Sequence, residues 1–381
     1  MKHLIVILIF ISTFFCSLFS SEKPSIPLLD MQDYYSLETR PIFIKKLSDA
    51  FQNLGFVAVI NTGVSEDTVN MAYKRLRDFF NLDPTTKENY QITGSNSQRG
   101  YIPLLKETRK DHSAADFKEF LMFGRVLPYY VEEELGYGHN VWPKEVDLKS
   151  AIGPLYEELN QCSIPLLSAL SIAMDQKEDF FLEKTFNSDT SLRAIYYPTT
   201  TKNPNNHSIW AKGHTDMNLI TIKPKATAKG LEILDKNGEW IPVSVPENAC
   251  IINVGDQLQN ITNGYFRSCF HRVVSSLDSL ESDRLSINLL VHPRNSSDLS
   301  PTPKCIEKTG GKAKYPTANR QELVMERLAE TCDVTPELLK SLAESKIVER
   351  MIDLNKASPK VMNLLKEKGL ASEKVLDALK K

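Results

Sequence analysis

The stretch GHTDMNLITI, Gly213 to Ile222, places an imidazole and a carboxylate one residue apart, between a glycine and an apolar run. Both side chains can ligate a divalent metal, one through nitrogen and one through oxygen. With seven histidines in the chain, His214 and Asp216 alone read equally well as a hydrogen-bonded histidine beside a loop aspartate. A third donor changes the weight. His271 opens the β-rich run HRVVSS. Each donor segment is a β-run with its ligand at one end, and strand ends of a jelly roll converge at one mouth. Two imidazoles and one carboxylate on one side of a metal leave open positions. That arrangement suits non-haem Fe(II), which must bind a cosubstrate and O₂ together. A structural zinc site would be closed and richer in nitrogen or sulfur.

A second group lies further along. Arg284 and Ser286 are alternate residues of DRLSINLL, so a strand here puts both on one face. If that face is a barrel interior, the arginine needs an anion, and a dicarboxylate ligand supplies one through a forked contact. If the face is outward, Arg284 is a solvated surface residue, and the two readings stand level. Tyr196 and Tyr197 precede Pro198, and a tyrosine hydroxyl here either reaches the same carboxylate or belongs to the core. NVGDQLQNITNG, Asn253 to Gly264, reads as a turn-rich loop at the pocket mouth. Phe117, Phe120, Met122 and Phe123, in DFKEFLMFG, read either as pocket lining or as core.

These side chains must be positioned by a β framework. LRAIYYP, HSIWAKGH, NLITIKP, GLEIL, EWIPV, ACIINVG, HRVVSS and RLSINLLVHP are short β-rich runs separated by turn residues. The Asn237-Gly238 pair marks a hairpin tip. So many runs without an intervening helix indicate a sandwich or jelly roll and argue against a parallel α/β sheet. Before them, SIPLLD and FVAVINTGV read as strands, and FIKKLSDAFQNLGF and SEDTVNMAYKRLRDFFNL as helices. The latter begins with a partial capping box at Ser65. Residues 90–145 are loop-rich. AIGPLYEELNQCSIPLLSALSIAMD reads as a long amphipathic helix bent at Pro165. Beyond Arg320 the chain is helical again, with Thr335, Ser358 and Ser372 as N-caps.

The whole chain sets limits on partners. Its 381 residues bury a sizeable core, and a net charge of -2 leaves no electrostatic footprint for nucleic acid. A small-molecule partner is expected. MKHLIVILIFISTFFCSLFSSEKPS has the layout of a secretory signal or a short anchor, which implies export or membrane attachment. Of the six cysteines, Cys16 lies in that leader; the other five show no C-x-x-C pair and form neither a disulfide framework nor a zinc site. That usage fits a reducing compartment, so a cytoplasmic location stands as the alternative.

Many of these stretches, in order, resemble the isopenicillin N synthase-like group of Fe(II)/2-oxoglutarate-dependent dioxygenases. SIPLLD, GFVAVINTGV and RGYIPL resemble its N-terminal region. GHTDMNLITI, GLEIL with GEWIPV, INVGDQLQNITNG, FRSCFHRVV and DRLSINLL resemble its catalytic domain, and YPTANRQELVMERL its closing segment. The resemblance covers residues 25–333. It implies a mainly β fold with flanking helices and a double-stranded β-helix (jelly roll) core. It implies iron held by His214, Asp216 and His271, and the 2-oxoglutarate C5 carboxylate held by Arg284 and Ser286 with help from Tyr197. The activity implied consumes 2-oxoglutarate and O₂, gives succinate and CO₂, and hydroxylates or desaturates a small organic molecule. Two alternatives remain: an oxidase of the same group that does not use 2-oxoglutarate, and a metal-binding jelly-roll module without turnover. One departure bears on them, because Ile195 stands where the family often has asparagine before Tyr-Tyr-Pro. The expected organisation is a leader (1–22), a mixed α/β N-terminal region (23–150), a helix with the β-helix domain (151–333) and a C-terminal helical extension (334–381).

Overall fold

A computed structural model describes residues 25–93, 95, 98–106, 115–199, 209–275, 282–331 and 334–380. The leader lies outside the described residues. Among the described residues no helix is long and apolar enough to cross a membrane.

The N-terminal region alternates as expected: β1 (Leu28–Asp30), α1 (Gln32–Tyr35), α2 (Arg40–Asn53), β2 (Phe56–Ile60), α3 (Glu66–Phe80) and α4 (Pro84–Glu88). At the end of α2 the chain turns through Gly55, whose φ is 73°. A Cβ there would overlap the Arg267 carbonyl, so the turn demands glycine. The cap of α3 differs from expectation. The Ser65 side chain makes no capping bond. Instead Glu158 accepts from the Ser65 backbone N–H and the Thr68 hydroxyl, at 2.9 and 2.8 Å. An acid on a distant helix satisfies the orphan donor, which the local capping pattern could not reveal.

The loop-rich stretch contains more order than its glycines suggested. β3 (Gly100–Ile102), β4 (Glu119–Gly124) and α5 (Tyr129–Leu135) lie within it. DFKEFLMFG is thus mostly a strand, paired with β3 and with β5 (Ser191–Tyr197). Between them come α6 (Lys149–Ala173), one helix that continues through Pro154 and Pro165, and α7 (Phe180–Thr185).

All eight β-runs read after Leu192 are strands: β5, β6 (Ile209–His214), β7 (Ile220–Lys223), β8 (Leu231–Leu234), β9 (Trp240–Pro242), β10 (Cys250–Val254), β11 (His271–Val274) and β12 (Arg284–Val291). The described strands form two sheets. The large one runs β1-β2-β10-β7-β12-β5-β4-β3 and the small one β6-β11-β8-β9. Apart from the parallel β1–β2 edge, pairing is antiparallel. This is the expected jelly roll with flanking helices. The N-terminal strands extend the large sheet at both edges, so the described N-terminal elements share its core.

Alternation along β12 assigns its faces. Leu285, Ile287 and Leu289 join the cluster that includes Leu155, Leu159 and Leu166 of α6. Arg284, Ser286 and Asn288 therefore face the other way, into the barrel. On β4, Phe120 and Met122 face inward with Ile195, Tyr197 and Trp210, while Phe123 packs on the helix side. NVGDQLQNITNG, read as a loop, contains the helix α8 (Asp256–Ile261). Cys162, Cys250, Cys269 and Cys305 are free thiols in buried positions.

The chain closes with α9 (Pro303–Lys308), α10 (Arg320–Thr331), α11 (Pro336–Ser345), α12 (Ile347–Asp353), α13 (Pro359–Glu367) and α14 (Glu373–Ala378). Thr335 and Ser372 cap α11 and α14 through their hydroxyls. Ser358 stands at the N-cap of α13 without a side-chain bond.

Candidate active site

β6 and β11 are neighbours in the small sheet, and their register sets His214 directly opposite His271. Their rings approach to 4.4 Å between centroids. Asp216 follows β6 by two residues. Its Oδ1 lies 3.8 Å from His214 Nε2 and 3.6 Å from His271 Nε2. One donor atom from each of the three residues falls within 4.8 Å of the others, which makes a three-donor cluster.

The backbone fixes the imidazoles. His214 Nδ1 faces the Lys212 carbonyl at 2.8 Å, and His271 Nδ1 faces the Cys269 carbonyl at 3.4 Å. Donation to those carbonyls places the proton on Nδ1 and leaves the Nε2 lone pair directed at the cluster. Phe56 packs edge-on against His271 and limits its rotation.

Asp216 uses its other oxygen for support. Oδ2 accepts from the Thr221 hydroxyl at 2.7 Å, Asn253 Nδ2 at 2.9 Å and Lys223 Nζ at 3.4 Å. Lys223 also donates to Asn253 Oδ1. Burial by itself raises the Asp216 pKa, but Lys223, the two imidazoles and the Thr221 hydroxyl together hold it well below the usual carboxylate range. Asp216 is therefore ionised, with Oδ1 turned to the histidines. Burial also lowers the Lys223 pKa, and Asp216 opposes that shift. This donor set of two neutral nitrogens and one anionic oxygen fits a divalent transition metal with open coordination positions.

The second group lies on the large sheet. Arg284 of β12 pairs with Tyr197 of β5, and its guanidinium lies 5.1 Å from the Tyr197 ring centre. Arg284 Nε donates to the Ala228 carbonyl at 3.1 Å. Its Nη1 is buried with no hydrogen-bond partner. Ser286 and Asn288 continue the inner row, with Asn288 Nδ2 3.5 Å from Ser286 Oγ. A buried guanidinium N–H without an acceptor is costly, and a carboxylate would satisfy it. The outward reading of Arg284 is removed, since the residue is 6% exposed. Tyr196 faces away from the barrel, stacked on Phe80 and donating to Asp283 at 3.2 Å. Ile195 is buried opposite Ser286 and contributes an apolar wall where an amide was expected.

Several neighbours of the cluster were not anticipated. Thr221 and Lys223 are alternate residues of NLITIKP, and that spacing, with one charge in an apolar run, was the available signal. Asn253 stands in the turn-rich stretch. Arg193 faces the same interior and stacks 3.7 Å over Phe120. Asp256 and Arg327 join the turn between the ligands. Gly255, just before Asp256, has no room for a Cβ against the Asn218 carbonyl, so the α8 N-terminus abuts the segment that follows Asp216.

Comparison with known proteins gives a concordant picture. A family model described as the N-terminal region of non-haem dioxygenases in morphine synthesis matches residues 26–145. One described as the 2OG-Fe(II) oxygenase superfamily matches residues 188–293. The chain is 26% identical over 318 residues to a 2-oxoglutarate-Fe(II) type oxidoreductase of Aspergillus fumigatus, covering 81% of this chain and 93% of that one. It is 30% identical over 292 residues to the bi-functional coumaroyl CoA and feruloyl CoA ortho-hydroxylase of Ruta graveolens, covering 75% and 73%. A full-length Neurospora crassa protein solved in complex with alpha-KG superposes with a TM-score of 0.70 at 26% identity, covering 80% of this chain and 95% of that one.

Proposed function

Since the chain belongs to the 2-oxoglutarate/Fe(II) oxygenase family, in its isopenicillin N synthase-like branch, we propose that His214, Asp216 and His271 hold its iron and that Arg284, Ser286 and Tyr197 hold its cosubstrate. The protein is an Fe(II)- and 2-oxoglutarate-dependent dioxygenase acting on a small molecule. Iron, when bound, supplies the redox chemistry by which O₂ converts 2-oxoglutarate to succinate and CO₂ and oxidises a substrate C–H bond.

The chain's own residues do the rest. Asp216 stays ionised and offers one oxygen, because Thr221, Asn253 and Lys223 engage the other. The two imidazoles arrive with fixed tautomers. Arg284 presents its Nη1 to a carboxylate, with the Tyr197 ring centre 5.1 Å from the guanidinium. Trp210, Phe120 and Ile195 line the barrel and exclude water, which strengthens each charged contact.

The observation that carries this reading is the unpartnered Arg284 Nη1 inside a barrel that also holds the three-donor cluster. It calls for a carboxylate ligand, and likeness to 2-oxoglutarate-Fe(II) oxidoreductases favours 2-oxoglutarate as that ligand over the oxidase that dispenses with it. The complete donor set, with each ligand braced, favours turnover over a metal-binding module. The test is succinate release from 2-oxoglutarate under air, with His271→Ala as the control. Loss of succinate in the variant supports the assignment, and release at the wild-type rate refutes it.

We further infer a division of labour. Residues 23–150 supply one pocket wall, 151–333 carry the chemistry and 334–381 support it. Residues 1–22 export or anchor the protein, on the strength of their charged start and apolar run. Membrane contact is through that leader alone. N-terminal sequencing of the protein recovered from its native host tests cleavage, and an intact Met1 in a soluble fraction would refute export.

A further inference from the structure

The residue between two of the proposed metal ligands is itself tied down. Thr215 donates its hydroxyl to Asp256 Oδ2 at 2.9 Å. Arg327, on α10, donates from Nη2 to Thr215 Oγ1 at 2.8 Å and to Asp256 Oδ2 at 3.1 Å. The Asp256 backbone N–H in turn donates to the Asp216 carbonyl at 2.7 Å. Three segments therefore meet in a closed set of bonds around the turn that carries His214 and Asp216.

The position of α10 is set from its other side. Its Met325 and Ala329 belong to a separate apolar core with Leu339 and Leu342 of α11, Ile347, Val348 and Met351 of α12, and Val361 and Leu365 of α13. Polar contacts add direction. Arg350 of α12 donates to Glu322 at 2.7 Å, and Lys360 of α13 donates to the Glu330 carbonyl at 2.7 Å, near the C-terminal end of α10. Glu330 also holds Arg327, with its carboxylate 3.2 Å from Nη1. The guanidinium is thus fixed at one end by the helical unit and at the other by the metal turn.

We propose that Arg327 is a positioning residue for the iron centre and that the C-terminal helices α11–α14 serve to hold it there. Residues 334–381 act as a brace that sets metal affinity from outside the barrel. A planar fork is required, because one nitrogen reaches both Thr215 and Asp256 while the other is kept by Glu330. This inference rests on the reading that His214, Asp216 and His271 bind the metal.

The test is anaerobic Fe(II) titration of the full-length protein and its variants, alongside thermal melting. Arg327→Met should weaken Fe(II) binding by about tenfold or more, the usual range for a lost outer contact. Arg327→Lys, which keeps the charge without the fork, should recover only part of it. Leu342→Asp, which breaks the α10–α13 core, should weaken Fe(II) binding in the same direction although Leu342 belongs to that separate core. Should that variant fail to fold, Lys360→Met removes the tie to α10 with less disruption and is expected to act the same way. Fe(II) affinity within twofold of wild type in Arg327→Met overturns the proposal. Loss in Arg327→Met with none in Leu342→Asp or Lys360→Met overturns the role of the helices. His214→Ala separates this from failure of the site itself: if it too retains Fe(II), the ligand assignment is at fault instead.

Discussion

The two ends of the barrel are built differently. At the small-sheet end, the polar atoms of the ligand turn are engaged: Asp216 Oδ2 has three donors, Thr215 has two partners and each histidine has a backbone carbonyl behind it. At the β12 end, Arg284 has one bond to a carbonyl and a buried Nη1 with none. The first end has its donor side chains braced by the protein before any ligand arrives. The second is left short of an acceptor, so its satisfaction is deferred to a bound anion. A metal site needs its ligands preorganised, because iron cannot reorient three side chains cheaply. A site for a flexible dianion needs a donor in waiting.

The contrast can be broken most forcefully at the ligands. Asp216→Ala and His271→Ala should each reduce Fe(II)-dependent succinate release to the background of iron-free protein, as read by a coupled or chromatographic succinate assay. Arg284→Ala should leave iron binding intact and weaken 2-oxoglutarate binding by about 10–100-fold, the value of a hydrogen bond to a charged group. Arg284→Lys should fall between, since an ammonium cannot fork. In the ligand-free protein, Arg284→Ala should not lower the melting temperature, because the side chain removed was only partly satisfied. A clear loss there would show that the two ends are built alike.

Smaller changes sharpen the comparison. Thr221→Val removes one of three donors to Asp216 and should weaken Fe(II) by about tenfold. Lys223→Met should do the opposite. It deletes a positive charge beside a dication site while Thr221 and Asn253 still brace the carboxylate, so Fe(II) titration should show tighter binding. The least effect is expected from acid. The Asp216 pKa is held below its unfolded value of 3.8, so its contribution to stability is present above that pH and is lost as pH falls toward the folded pKa. Below about pH 4, apo wild type should lose stability more steeply than Asp216→Asn. Parallel denaturation curves across that range would contradict the ionised state.

Much of the β12 end was legible in the sequence. Period-2 alternation in DRLSINLL placed Arg284 and Ser286 together, and burial decided which face they share. The cluster of His214, Asp216 and His271 was legible as three donors at strand ends. The β-runs were legible because their turns carry strong local signals, such as Asn237-Gly238. What was hidden depends on packing between distant segments. Glu158 caps α3 from another helix, and no local pattern encodes it. α8 was masked by the turn-forming residues around it, because its short length gives little helical periodicity. DFKEFLMFG is buried on both faces, so it lacks the alternation that marks a strand. Arg327 reads as one charge among many on an amphipathic helix, and only the fold brings it to Thr215.

The most direct measurement is an anaerobic titration of protein lacking residues 1–22, with Fe(II) and then 2-oxoglutarate, watching the weak visible charge-transfer band of the chelated cosubstrate. The band should appear in wild type, fail to form in His271→Ala for want of iron, and require much more 2-oxoglutarate in Arg284→Ala. Iron binding without a band, or a band that Arg284→Ala leaves unchanged, would contradict a 2-oxoglutarate site between the triad and β12.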